Sequence, residues 1–81
     1  MFVIEITEKA TGNKSYWPVN FGYDNHSFTT RDYAELFCCK DKAEKLVQMF
    51  KYPPYFWESE RKHYDFRQQW NKKFLMEVVN A

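Results

Sequence analysis

The residues best suited to bind a transition metal or supply a nucleophile are Cys38, Cys39, His26 and His63. Zinc sites place their thiolates as C-x₂₋₄-C, so that two sulfurs converge on one ion. Cys38 and Cys39 are adjacent, and on a strand they point to opposite faces, which defeats convergence. A direct bridge between consecutive cysteines is strained. A nucleophile needs a base beside it, and nothing local couples either thiol to a histidine. His26 sits among polar residues and His63 among charges, as surface histidines do. The expectation is therefore no metal, no cofactor and no catalytic residue, with two inert thiols of small apolar character.

Glu58, Glu60 and Lys62 form an E-x-E-x-K run, with Asp65 close behind. On one strand face two carboxylates and a lysine could hold Mg²⁺ and polarise a phosphate, which makes a metal-dependent nuclease the one enzyme class to consider. On a helix the same run spreads over several faces and becomes a solvated charged turn, and that is the preferred reading.

Residues 50–74 hold the strongest functional signal. They contain nine of the chain's seventeen aromatics, interleaved with Lys51, Arg61, Lys62, Arg67, Lys72 and Lys73. Trp, Tyr and Arg are the residues that dominate protein interfaces. Rings beside cations also suit single-stranded nucleic acid, where bases stack and phosphates are tracked. The same rings could instead form the core of a small domain short of aliphatics. The expected partner-binding residues are Trp57, Arg61, Tyr64, Arg67 and Trp70. Trp70 is the one that a neighbouring final strand could draw inward.

These residues need a frame. Eighty-one residues make a single domain, which at this size buries about 60% of its extended surface. A hydrophobic fraction of 44% argues for a folded chain rather than a disordered one. A net charge of +1 excludes both a polyanionic DNA mimic and a strongly basic nucleic-acid coat. The charge is uneven: residues 1–39 carry three Lys/Arg against five acids, and residues 40–73 nine against five. Solvated helix faces account for such a bias. No secretion signal is recognisable. Apolar runs fall far short of the roughly 20 residues of a membrane span. With unpaired cysteines, this leads to the expectation of a cytoplasmic protein with no membrane partner.

The clearest element is the amphipathic helix Asp41–Phe50. Ala43, Leu46, Val47 and Phe50 recur at i, i+3, i+4 and i+7. Asp41 is expected to cap it, with Glu44 in a capping-box relation, and Tyr52-Pro53-Pro54 stops it. Residues 2–7, FVIEIT, read as a strand with Phe2, Ile4 and Ile6 on one face and Val3, Glu5 and Thr7 on the other. A turn at Thr11-Gly12-Asn13 returns the chain into Lys14–Trp17. Residues 19–30 read as loop. Residues 31–40 read as a short strand over Glu35–Cys39 in preference to an N-terminal extension of the helix. Residues 53–73 form a second helix or an extended arm. Residues 74–79, FLMEVV, form a last strand with Phe74, Met76 and Val78 on one face. The fold class is α+β, a small antiparallel sheet of three or four strands with one main helix packed on one face.

The order FVIEIT, TGNK-Y, SFTT-x-x-x-AELF, K-D-KAEKLV, FLMEVV resembles that of many small proteins of bacteriophages and other mobile elements. It covers most of residues 2–50 and 74–79, while residues 53–73 are longer than that pattern expects. The resemblance lies in patterning and carries no functional residue across. It implies a non-catalytic binding protein, an inhibitor of a host protein such as a defence component. Single-stranded nucleic-acid binding is the alternative.

Overall fold

A computed structural model describes residues 1–21, 27–51 and 68–81. Within them the chain forms β1 (Phe2–Glu8), β2 (Lys14–Tyr16), a 3-10 turn (Arg31–Tyr33), α1 (Lys40–Lys51) and β3 (Phe74–Asn80). Residues 68–73 are also helical and lead directly into β3. The three strands form one antiparallel sheet in the order β2-β1-β3, so the α+β class is as expected.

The hairpin between β1 and β2 is built from local chemistry. Gly12 takes φ +76°, the left-handed region that costs glycine little. Its N–H donates to the Glu8 carbonyl at 2.7 Å, and the Glu8 N–H donates to the Asn13 carbonyl at 2.9 Å. Thr11 Oγ1 donates to Glu8 Oε1 at 2.9 Å and accepts from the Asn13 N–H at 3.2 Å. This turn sets Glu5 opposite Tyr16 and Thr7 opposite Lys14.

β1 is the central strand, and both of its faces are buried. On one face Ile4, Ile6 and Met76 pack with Trp17 and with Ala43, Val47 and Phe50 of α1, while Leu46 lies half-buried against the same cluster. On the other face Val3 packs with Tyr16 and Ala34, and Val79 leans on them. The helical stripe therefore meets the sheet as its spacing predicts. The helix begins one residue earlier than its sequence pattern. The Cys39 carbonyl accepts the Ala43 N–H, so Asp41 sits inside the first turn. There its charge favours the positive end of the helix dipole instead of capping it.

The expected strand over Glu35–Cys39 reduces to a single bridge. Phe37 and Phe2 exchange N–H···O=C bonds of 2.8 Å in each direction, and the neighbours of Phe37 pair with nothing in a ladder. One residue suffices because β2 is only three residues long and leaves the Phe2 end of β1 uncovered.

Phe21 and Phe28, from the stretch read as loop, contribute to the core. Phe21 stacks on Phe28 at 5.1 Å, and Trp17 lies 4.4 Å from Phe21 and 5.3 Å from Phe50. The far end of this aromatic layer is Trp70, 5.0 Å from Phe50 and 4.7 Å from Phe74. Asn71 Nδ2 donates to the Lys51 carbonyl at 3.0 Å, which ties the last turn of α1 to residues 68–73.

Candidate functional site

The two edges of the sheet differ. On the β2 side the chain closes the edge itself. Tyr16 and Thr29 exchange backbone hydrogen bonds of 2.8 Å, Pro18 bridges Ala34, and the Glu35 N–H donates to the Trp17 carbonyl at 2.9 Å. β2 is also short and carries Lys14 with Pro18 just beyond it, features that discourage further pairing.

β3 is the other edge, seven residues long, without proline or glycine and with Glu77 as its one charge. Its register sets Val3 against Val79, Glu5 against Glu77 and Thr7 against Leu75. The flanking bonds, Lys9 N–H to Lys73 C=O and Ala81 N–H to Met1 C=O, belong to the same odd-numbered series. In an antiparallel ladder directly opposed residues alternate between exchanging both bonds and exchanging none. The odd residues of β3 therefore bond to β1, and the N–H and C=O groups of Phe74, Met76 and Val78 point away from it. The Asn80 carbonyl also points outward and accepts from Arg31 Nη2. Among the described residues, no hydrogen bond reaches the outward groups of Met76 or Val78.

Beside this edge lies an open groove of about 940 Å³ between α1 and β3. Val47, Met76 and Val78 form its floor, and Met49, 63% exposed, stands on its wall. Among the described residues lining it, Lys40, Lys45 and Lys51 are matched by Asp41, Glu44 and Glu77. Met76 is only 2% exposed, so the open part of this edge lies at half-buried Val78, where an unused donor and acceptor beside apolar side chains can accept an added strand.

The sheet face opposite the helix carries the best-defined electrostatics. Glu5 is 9% exposed and accepts from Lys14 Nζ at 2.8 Å and from the Tyr16 hydroxyl at 3.1 Å. The Arg31 guanidinium lies 5.7 Å from the centre of the Tyr16 ring. The Lys14 hydrogen bond holds the Glu5 carboxyl below its ordinary value of 4.5, with Tyr16 and Arg31 assisting against the opposing effect of burial. Burial alone pushes Glu35 up. The two act in opposite directions on stability. An unfolded chain binds the Glu5 proton more readily than the folded one, so this contribution is present above pH 4.5 and lost as pH falls through the folded value. The folded chain binds the Glu35 proton more readily, so that contribution is lost as pH rises past 4.5. Urea midpoints measured across the acid range should show Glu5→Gln with a shallower acid loss than the parent and less stability at neutral pH. Glu35→Gln should exceed the parent increasingly above pH 4.5. An unchanged acid slope in Glu5→Gln would contradict the assignment.

Of the expected partner-binding residues, Trp57, Arg61, Tyr64 and Arg67 lie outside the described residues, as do His26, His63 and the Glu58–Glu60–Lys62 run. Trp70 is described, and its ring packs into the aromatic core. Cys38 is exposed and Cys39 half-buried, both as free thiols. Among the described residues, no group of histidine, cysteine and acidic side chains is arranged to hold a metal, and no helix is long and apolar enough to cross a membrane. The outward groups of β3 were missed because strand order is not written in the strand. FLMEVV signals a strand, and its lack of guarding residues was the available sign that an edge there would be open. No family model, curated protein or solved structure matches this chain.

Proposed function

We propose that this chain is a non-catalytic protein-binding module that receives an extended segment of a partner protein along the outer edge of β3. The observation that supports it is the pair of half-buried, outward-facing residues Phe74 and Val78 on β3, with Val78 beside the α1–β3 groove. Main-chain bonds to these residues would supply affinity, and the groove floor would select apolar side chains at alternate positions of the segment. A partner belonging to a host cell, as the resemblance to mobile-element proteins implies, is part of this proposal. The balanced charge of the groove's described lining favours protein over single-stranded nucleic acid at this site, since nucleic-acid grooves are cationic.

A display library of random twelve-residue peptides, selected against the protein, tests the reading. Selected peptides should alternate apolar and polar residues and lose about tenfold or more in affinity for Val78→Pro, one main-chain bond being worth about 1 kcal/mol and the ring crowding the edge. The Val78 N–H points away from β1, so the substitution spares the sheet's own ladder. Equal affinity for both proteins would overturn the reading. Oligonucleotide binding that falls steeply with salt, in place of peptide binding, would favour the nucleic-acid alternative.

A further inference from the structure

We infer that the partner segment is acidic where it reaches the Phe74 end of β3, its carboxylates being received by Lys9, Lys72 and Lys73. The inference rests on the reading of the β3 edge as the docking strand and adds the charge of the occupant. It is carried by an open hollow of about 560 Å³ at the start of β3. The described lining sets Lys9, Lys72 and Lys73 against one acid, Glu8, and includes Phe74, which also belongs to the docking edge. At the other end of that edge, the described lining of the α1–β3 groove balances its lysines with acids. The surplus of one sign therefore lies at the Phe74 end. A cleft lined by one sign of charge gathers ligands of the other.

The fold brings these lysines together from distant parts of the chain. Glu8 pairs with Phe74, and the Lys9 N–H donates to the Lys73 carbonyl at 2.9 Å. Lys9 Nζ donates to the Asn71 carbonyl at 3.1 Å, a neutral acceptor that steadies the ammonium without cancelling its charge. Glu8 Oε1 is engaged by the Thr11 hydroxyl at 2.9 Å. Lys9, Lys72 and Lys73 are all exposed, and among the described residues no ion pair joins any of them to a carboxylate.

The surroundings of the lysines favour a peptide over a nucleic acid. Nucleic acid needs ring faces for its bases beside such cations. Phe74, the aromatic residue of the described lining, has its ring stacked on Trp70 at 4.7 Å and packed against the helix-side core. Carboxylates need only the ammonium groups. Phe74 and Val78 stand about 13 Å apart along the strand, at about 3.3 Å per residue. An extended segment thus carries its acidic residues about four positions from the apolar residue beside Val78.

Display libraries of twelve-residue peptides, selected in parallel against the parent and against Lys72→Glu/Lys73→Glu, provide the test. Both lysines are exposed, and thermal melts check folding; Lys72→Gln/Lys73→Gln carries the comparison should the charge reversal unfold the protein. Parent-selected peptides should hold Asp or Glu about four positions from an apolar anchor, where the charge-reversed protein should select Lys or Arg. The best parent-selected peptide, followed by fluorescence anisotropy at low salt, should bind the charge-reversed protein about tenfold more weakly, with the Gln variant between. Added salt should narrow that difference. Peptides that alternate and lose affinity in Val78→Pro but show no acidic bias overturn this inference and leave the docking strand standing. The same acidic bias in both selections overturns it too. Peptides that bind Val78→Pro as well as the parent, or no enriched peptide at all, overturn the docking strand and this inference with it. Binding of a short oligothymidylate that charge reversal abolishes would assign the lysines to nucleic acid and overturn the acidic segment.

Discussion

Phe50→Ala should cost about 3–5 kcal/mol, close to the whole stability of a domain whose size supports roughly 4–12 kcal/mol at 0.05–0.15 per residue. Phe50 is 7% exposed and joins the helix to every part of the aromatic layer. Trp17 meets it edge-on at 5.3 Å and Trp70 at 5.0 Å, with Phe21 and Phe28 at 6.2 and 6.3 Å. Removing the ring leaves a void bounded by other rigid rings, which cannot collapse into it as flexible aliphatic chains would. Urea denaturation followed by tryptophan fluorescence gives the loss directly. A loss below about 1 kcal/mol would remove Phe50 from the centre of the core.

Trp70→Ala should lower stability by about 3 kcal/mol, the lower end for a large aromatic because Trp70 is only half-buried. Its ring stacks on Phe74 at 4.7 Å and meets Phe50 of α1 at 5.0 Å, which fastens the start of β3 to the helix. The structural consequence extends to the docking edge, because β3 begins at Phe74. A double-mutant cycle with Phe50→Leu should show a coupling of about 0.5–3 kcal/mol, as expected for rings in contact. A Trp70→Ala protein that melts like the parent but fails to bind peptide would return Trp70 to an interface role.

Much of the frame was legible in the sequence, and the reasons are specific. Ala43, Leu46, Val47 and Phe50 carry a helical period, and the period survives because α1 needs one buried stripe. FVIEIT and FLMEVV alternate because each pairs in a sheet with α1 on one side. Trp17, Phe21 and Phe28 were not legible as core, since they arrive from irregular backbone that imposes no period on them. Glu5 was assigned to a face but not to burial. Its environment depends on Lys14 and Tyr16, which the hairpin register brings to it. The unpaired edge of β3 lay further from reach still. Which strand stands at an edge is decided by the pairing of β1 with β3, across nearly the whole chain, and not by the residues of β3.

Backbone amide exchange resolved to single residues in β3 tests the central claim most directly. In dilute protein the Leu75, Glu77 and Val79 amides, bonded to β1, should be protected, while that of Val78 exchanges at a rate near that of an open strand. Saturation with a selected peptide should then protect Val78 and leave the odd residues unchanged. Strong protection of Val78 in the dilute, unliganded monomer would show the edge already covered and contradict the account.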